Sequence, residues 1–201
     1  HVNNEIGVIQ DLKIIGEIMA KIIIPISNGF EEIETISIID VCRRANIEVT
    51  IAAVENLQTI GAHNVKIEAA CKIEDINSDD FDMIVLPGGL PNAFTLAENE
   101  KVQSLLKEFK EKNKNIGAIC AAPFALHKAG VLNENFTCYP SFEQKIKLNG
   151  YHEDDAVVID NKVITSRGPA TAMIFALEIV SILCGEETST EVKNGLLMAD
   201  Y

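Results

Sequence analysis

Cys120 is the residue whose type and position are best suited to covalent chemistry. It stands directly between a predicted buried strand, Asn115–Ile119, and a predicted helix, Pro123–Ala129. Small residues lie close to it on both sides, as a sharp turn that presents a nucleophile requires: Gly117, Ala118, Ala121 and Ala122. The dipole of a helix N-terminus stabilises a thiolate and lowers its pKa. We therefore expect a thiolate nucleophile at Cys120; the alternative is a small hydrophobic residue buried at a strand end.

Two further features are predicted to lie at the same edge of the sheet as Cys120. Sites in open parallel sheets form where the carboxyl ends of the strands meet. Glu34 lies in the first turn of the helix after the first strand, and Gly88 and Gly89 follow another buried strand. Main-chain N–H groups of Gly88, Gly89 and Ala121 could stabilise an oxyanion. The alternative for Glu34 is a charge that only favours the positive end of its helix.

The remaining cysteines and the histidines are not expected to carry chemistry. Two of these cysteines, Cys42 and Cys184, lie in apolar helical stretches and are predicted core residues. The other two, Cys71 and Cys138, lie in loop or edge regions. His127 is about two helical turns beyond Cys120, too far for direct pairing. His63 and His152 fall in loop-like contexts and are predicted to be solvated. Because the spacing matches no metal-ligand pattern, we predict no metal site.

Strand-like and helix-like segments alternate along the chain. The predicted strands are Lys21–Ile26, Ile47–Val54, Phe81–Leu86, Asn115–Ile119, Phe136–Tyr139, Ala156–Ile159 and Lys162–Thr165. The predicted helices are Glu31–Ala45, Asn99–Lys112, Pro123–Ala129 and Ala170–Cys184, with a hairpin within Gln58–Glu68. This alternation predicts an α/β fold whose mostly parallel sheet is covered by helices on both faces.

The chain is predicted to contain a single domain over residues 19–201, because no repeat, low-complexity tract or linker interrupts that range. Met19 stands directly before the first strand and has the appearance of a natural start. Residues 1–18 are therefore expected to be a native extension, a remnant of an expression vector or a translated upstream region.

Composition and charge exclude several classes of function. The 201 residues carry a net charge of −13, with a pI near 4.7. A surface this acidic repels phosphate backbones and anionic lipids, so we expect neither nucleic-acid nor membrane binding. No apolar run is long enough to span a bilayer. The five cysteines lack a disulfide-framework spacing, which favours free thiols in a reducing, cytoplasmic compartment.

Four segments resemble the ThiJ/PfpI superfamily, and within it the DJ-one branch. They are Ser27–Thr35 (SNGFEEIET), Val85–Gly89 (VLPGG), Ala118–Pro123 (AICAAP) and Thr165–Thr171 (TSRGPAT). Any one of these motifs is weak, but they occur together and in register from about Lys21 to the C-terminus.

The resemblance implies a flavodoxin-like three-layer sandwich, a homodimer and a site that needs no cofactor. It implies that Cys120 is the nucleophile and the site of oxidation. It also implies that a protonated Glu34 donates a hydrogen bond to the thiolate, in keeping with the raised pKa expected of a partly buried carboxyl beside a thiolate.

Two departures from the family pattern limit the mechanism. Protease-like branches carry His directly after the cysteine, where this chain has Ala121, which argues against a Cys–His peptidase. The DJ-one branch often has a His before the proline near the site, where this chain has Tyr139. Tyrosine is a poor base at neutral pH, so Glu34 is expected to act as the acid/base, with Tyr139 and Arg167 in supporting positions.

The resemblance leaves two main functions open, because both need the same reactive thiol. The first is a cofactor-free enzyme acting on a small aldehyde or a glycated protein, either glyoxalase-type conversion of methylglyoxal to lactate or protein deglycation. The second is a redox sensor or chaperone that uses oxidation of Cys120. Family members have also been labelled thiazole monophosphate (thiamine) biosynthesis proteins, but this sequence has no phosphate loop of the glycine-lysine type.

Overall fold

Runs of buried β-branched residues form the central sheet of the computed structural model, which describes residues 19–198. The predicted extension, residues 1–18, lies outside the described residues. The strands are β1 (Lys21–Ile26), β2 (Glu48–Ala53), β3 (Gln58–Ile60), β4 (Lys66–Glu68), β5 (Cys71–Lys72), β6 (Met83–Leu86), β7 (Asn115–Ile119), β8 (Asn135–Phe136), β9 (Gly150–Tyr151), β10 (Val157–Asp160) and β11 (Val163–Ser166).

The helices follow most of these strands. They are α1 (Glu32–Arg44), α2 (Asn92–Glu98), α3 (Glu100–Glu111), α4 (Pro123–Lys128), α5 (Glu143–Ile146), α6 (Ala172–Cys184) and α7 (Glu186–Gly195). Short 3₁₀ turns occur at Ile73–Asp75, Ser78–Asp80 and Pro169–Thr171. Over residues 19–198, no helix is both long and apolar enough to cross a membrane.

The main sheet of the described region has the strand order β10-β11-β7-β6-β1-β2-β5. Its strands pair in parallel, except for the antiparallel edge pair β10–β11. The prediction of a mostly parallel sheet is confirmed. This topology places the ends of β1, β6, β7 and β11 side by side along one edge.

The two faces of the sheet carry separate hydrophobic cores because successive strand residues point to opposite faces. In β1, Ile22, Ile24 and Ile26 pack with residues of α1 and α6, whereas Ile23 packs with residues of α2, α3 and α4. The result is the predicted three-layer α/β sandwich, with helices on both sides of the sheet.

The sequence missed three helices, the four-residue α5 among them, as well as the two-residue strands β5 and β9, and it misplaced one strand. α2 is only two turns long, and α7 is polar over most of its length, so neither shows a strong apolar period. The predicted strand Phe136–Tyr139 was wrong beyond Phe136. Tyr139 leaves the pairing because its N–H donates to the carbonyl of Cys120 at 2.8 Å. The predicted hairpin within Gln58–Glu68 is confirmed as β3 and β4.

Candidate active site

Cys120 occupies a strained turn between β7 and α4. Its φ is +66°, a left-handed conformation that is uncommon for residues other than glycine. The conformation is fixed on both sides: the Cys120 N–H donates to the carbonyl of Ser166 at 2.9 Å, and its carbonyl accepts the N–H of Tyr139. The residue is 8% exposed. The turn therefore presents the sulfur at the sheet edge in a nearly dehydrated setting.

Glu34 is brought to this edge by the first turn of α1. Its own N–H donates to Oε2 of Glu31, the residue that caps the helix, at 2.7 Å. The Glu34 side chain is fully buried. Its Oε1 accepts the N–H of Gly88 at 3.0 Å, whereas its Oε2 is buried without a conventional hydrogen-bond partner. The Cys120 thiol is the side chain that interacts with this carboxyl.

Gly88 lies where the carboxyl and the thiol converge. A Cβ on Gly88 would stand 2.6 Å from Cβ of Cys120 and 2.7 Å from Oε1 of Glu34. Gly89, with φ of +89°, is crowded by main-chain atoms: its Cβ would lie 2.2 Å from the carbonyl oxygen of Gly29. The glycine pair therefore allows the Glu34 carboxyl to approach Cys120 closely.

Burial raises the pKa of Glu34 to about 7. The Cys120 thiol and the N–H of Gly88 lower it, while the negative charge of Glu31 raises it further. A carboxyl with this pKa can either give or accept a proton near neutral pH.

We expected the pKa of Cys120 to be lowered, and this prediction is wrong when Glu34 is ionised. Burial and the neighbouring carboxylate raise the pKa of the thiol, and the N–H groups of Ala121 and Gly89 lower it by less. The helix dipole also contributes little, because α4 has only six residues. The electrostatic contribution of Glu34 disappears when that carboxyl is protonated, so the two groups titrate as a coupled pair.

The predicted main-chain donors divide between two acceptors. The N–H groups of Gly89 and Ala121 act on the sulfur, as expected of an oxyanion cradle. The N–H of Gly88, also predicted for that cradle, is already bonded to Glu34. Gly88 therefore holds the carboxyl, and Gly89 and Ala121 face the reacting atom.

Tyr139 and Arg167 support the site in a different way from that expected. Tyr139 holds Cys120 through its main-chain N–H, and no hydrogen bond to its hydroxyl is found over residues 19–198. Arg167 donates through Nε to the carbonyl of Cys138 at 3.2 Å and through Nη2 to the hydroxyl of Tyr151 at 2.9 Å. It therefore fixes the loop that carries Tyr139.

The environments of the other cysteines differ in part from those predicted. Cys42 is buried as expected, but Cys184 is exposed, because it ends α6 where the helix leaves the core. Cys138 is fully buried rather than in an exposed loop. Burial raises the pKa of both Cys42 and Cys138 to about 12, so neither matches the setting of Cys120.

A carboxylate–histidine group that the sequence did not reveal lies at the N-terminus of α1. Ligand atoms of Glu31, Glu32 and His63 lie within 4.8 Å of one another. Glu32 accepts the main-chain N–H groups of His63 at 2.7 Å and Val65 at 3.2 Å. The His63 ring is largely exposed, as predicted, but its Nδ1 is 3.3 Å from Glu32. These contacts hold the β3–β4 hairpin against the start of α1.

Relatives with similar sequences extend over most of this chain. Protein dj-1beta of Drosophila melanogaster is 41% identical over 174 residues, which are 85% of this chain and 93% of the relative. The glutathione-independent glyoxalase DJR-1.2 of Caenorhabditis elegans is 38% identical over 170 residues, 84% of this chain and 91% of the relative. Protein DJ-1 homolog B of Arabidopsis thaliana is 38% identical over 181 residues, 89% of this chain, but the chain spans only 41% of that relative.

Solved structures show the same architecture. Drosophila melanogaster DJ-1beta superposes with a TM-score of 0.87 at 38% identity, covering 90% of this chain and 100% of that one. Oxidized Toxoplasma gondii DJ-1 has a TM-score of 0.86 at 34% identity, covering 90% and 99%. The sequence profile described as the DJ-1/PfpI family matches residues 20–182. With its strand-end cysteine, glycine turn and buried glutamate, the chain belongs to the DJ-1/PfpI family.

Proposed function

We propose that the chain is a cysteine-dependent enzyme that acts without a cofactor on small reactive carbonyls such as methylglyoxal. The observation that carries this proposal is the buried Cys120–Glu34 pair. Its carboxyl titrates near pH 7, and the N–H groups of Gly89 and Ala121 face the sulfur. The naming of the Caenorhabditis elegans relative as a glutathione-independent glyoxalase supports the same chemistry.

The reactive form has the shared proton on Glu34 and the negative charge on Cys120. The protonated Glu34 carboxyl is then a donor to the sulfur, and the nearby N–H groups stabilise the thiolate. The thiolate attacks the aldehyde carbon of methylglyoxal and forms a C–S bond. Glu34 gives its proton to the carbonyl oxygen, which produces a neutral hemithioacetal.

The ionised Glu34 next removes the proton from the carbon bonded to sulfur. The resulting enediolate carries its charge on oxygen, where the N–H groups of Gly89 and Ala121 can stabilise it. Glu34 returns the proton to the adjacent carbon, and the hydroxyl proton on the sulfur-bearing carbon passes to the other oxygen. The product is a lactoyl thioester on Cys120. Water hydrolyses it, so that methylglyoxal and water yield lactate and one proton, and the thiolate is regenerated.

Conversion of methylglyoxal to lactate by the purified chain tests this proposal. Cys120→Ser should abolish turnover, whereas Cys71→Ser, at a half-buried position outside the site, should leave it near wild type. Equal turnover by wild type and Cys120→Ser would contradict the proposal. The same attack on an aldehyde adduct would support protein deglycation, which a glycated peptide tests with the same two variants.

Redox sensing, with or without a chaperone role, is the second candidate, supported by the buried unpartnered Oε2 of Glu34. When protonated, this oxygen can donate to an oxygen atom added to the sulfur of Cys120. A Toxoplasma gondii relative has been solved in an oxidized state. Mild peroxide should add two oxygens to Cys120 before the other cysteines react, as peptide mass spectrometry would show. Earlier oxidation of the exposed Cys184 would count against this role.

The free state of all five cysteines supports placing the protein in a reducing compartment, which we propose is the cytoplasm. Thiazole monophosphate biosynthesis, the remaining family label, receives no support from a phosphate-binding loop in this sequence.

A further inference from the structure

Asn92 is a buried amide that the chemistry proposed above does not use. It is the first residue of α2 and is fully buried. Its Oδ1 accepts the main-chain N–H of Ser27 at 2.9 Å and the Ser27 hydroxyl at 2.8 Å. Its Nδ2 donates to the carbonyls of Pro87 at 3.0 Å and Gly88 at 2.9 Å. The side chain thus joins the end of β1 to the glycine turn after β6.

The orientation of the Asn92 amide is determined by its partners. The main-chain N–H of Ser27 can only donate, and the carbonyls of Pro87 and Gly88 can only accept. Reversing the amide would therefore place its NH₂ group against the N–H donor of Ser27, and its oxygen against the two carbonyl acceptors. Asn92 consequently holds the two carbonyls of the glycine turn in fixed directions.

Those two carbonyls belong to the peptide units that face the candidate active site. In a planar trans peptide, the C=O and the following N–H point in opposite directions. Holding the Pro87 carbonyl aims the N–H of Gly88, which donates to Oε1 of Glu34. Holding the Gly88 carbonyl aims the N–H of Gly89, which acts on the Cys120 sulfur. One side chain therefore contacts both of the carbonyls whose directions aim these donors.

We propose that Asn92 is a positioning residue for the Cys120–Glu34 pair, acting through the N–H groups of Gly88 and Gly89. Successive main-chain N–H groups that converge form an anion-binding concavity, and their value depends on direction. The Gly88 carbonyl is also bonded to the N–H of Glu31 at 3.0 Å, so the turn keeps one anchor when Asn92 is replaced. The expected defect is misdirected donors within a folded chain.

The test compares Asn92→Ala with Gln103→Ala. Gln103 is a matched control because its Nε2 also donates to two main-chain carbonyls, those of Leu96 and Ala125, both at 3.2 Å. These contacts lie between α2, α3 and α4, away from Cys120. The measurement is the rate of iodoacetamide alkylation of the Cys120 peptide against pH, followed by mass spectrometry, together with thermal unfolding of each full-length variant.

In Asn92→Ala the pH midpoint of Cys120 alkylation should rise by about one unit, a tenfold lower acid dissociation constant. In Gln103→Ala the midpoint should stay at the wild-type value even if thermal stability falls. An unchanged midpoint in Asn92→Ala would overturn the proposal. If that variant does not fold, the same measurement is made on Asn92→Ser, which keeps one donor. A raised midpoint in Asn92→Ser supports the proposal, and a midpoint equal to that of the wild type overturns it.

Turnover provides a second readout that rests on the proposed function. Methylglyoxal conversion by Asn92→Ala should lose kcat by about 100-fold, the effect of removing one oxyanion donor, with little change in KM. If the wild-type protein shows no turnover, the proposed function is contradicted. The positioning role of Asn92 is then tested by the alkylation measurement alone. Wild-type kcat in Asn92→Ala would overturn the positioning role directly.

Discussion

The sulfur of Cys120 and the carboxyl of Glu34 face each other with little water and few other partners. Burial alone would keep both groups neutral, and a thiolate beside a carboxylate would repel it strongly. The pair therefore passes through a singly charged state, whose negative charge either group can carry. Because Glu34 titrates at about pH 7, this singly charged state develops near neutral pH.

Glu34→Gln should separate proton transfer from thiol reactivity. Glutamine keeps the shape and one donor of the side chain but cannot exchange a proton. We expect the fold to remain intact and Cys120 to be alkylated still, while methylglyoxal turnover falls by about 100-fold or more. Steady-state assays and alkylation of the same preparations check this. Wild-type turnover in Glu34→Gln would exclude the acid/base role and favour redox sensing.

Glu31→Gln is the matched control, because Glu31 is a close acidic neighbour that caps α1. The amide oxygen of glutamine can still accept the N–H of Glu34, so most activity should remain. The negative charge of Glu31 raises the pKa of Glu34, so its removal should move the activity profile to lower pH. A loss of turnover equal to that of Glu34→Gln would show that the two carboxyls are not distinct in function.

The raised pKa of Glu34 also predicts how stability depends on pH. The folded chain holds the Glu34 proton up to about pH 7, whereas the unfolded chain releases it near 4.5, so stability falls as pH rises between these values. Glu34→Gln removes this loss and should be more stable than wild type at pH 8, by up to about 3 kcal/mol. Urea unfolding at pH 4 and pH 8 measures this difference.

The exposed Glu111, at the end of α3, provides the control for that stability measurement. Glu111→Gln, at an exposed position, should not produce the gain in stability at pH 8 that is expected of Glu34→Gln. A Glu34→Gln variant that is no more stable than wild type at pH 8 would contradict the assignment of a buried, destabilising carboxylate.

The sequence allowed the meeting of Cys120, Glu34 and the glycine turn to be predicted because each follows a strong apolar strand. Parallel strands then bring their ends together. The pKa of Cys120 could not be predicted, since it depends on how deeply the turn is buried and on the length of α4. Asn92 was missed for a similar reason: its four hydrogen bonds join it to three residues that lie 4, 5 and 65 positions earlier in the chain, and this combination follows no local pattern.

Among the larger elements, the loop after β8 supports the nucleophile from one side. Its Tyr139 N–H bonds the Cys120 carbonyl, and its Cys138 carbonyl is held by Arg167 from the end of β11. The guanidinium also donates to the carbonyl of Glu153 and the hydroxyl of Tyr151. Arg167 therefore links two loops that pair weakly through the short strands β8 and β9.

Arg167→Lys should loosen this support, since an ammonium cannot reproduce the planar set of donors. We expect the melting temperature to fall by about 4 °C, as roughly 1–2 kcal/mol is lost in a chain of this size. Arg44→Lys is the control, because Arg44 forms an exposed pair with Asp40 that contributes little. Calorimetry of both variants checks the difference, and equal melting temperatures would show that Arg167 does not hold the loops.

On the surface formed by residues 19–198, several exposed apolar side chains lie on two neighbouring helices. Ile33 and Ile36 are 57% and 45% exposed on α1, and Met173 and Ile174 are 45% and 43% exposed at the start of α6. These helices pack against each other on one face of the sheet. Exposed apolar side chains on adjacent helices are a feature of interfaces between copies of a chain. We propose that these residues belong to the interface of a homodimer.

The expected dimer can be tested by placing a charge within that surface. Ile36→Glu should convert a dimer mass in light scattering to a monomer mass at micromolar concentration. Ile159→Glu is the control: it is 49% exposed on the edge strand β10, so it should leave the mass unchanged. A monomeric wild-type chain would refute the proposed interface.

The left-handed backbone at Cys120 implies a trade-off between thermal stability and activity. Such a conformation costs an L-residue about 1–2 kcal/mol, but it costs glycine almost nothing. Relief of this backbone strain would therefore favour glycine at position 120 and would discard the sulfur. Any screen that improves this protein by stability must also score the thiol, because relieving the strain at this position would remove the residue that carries the chemistry.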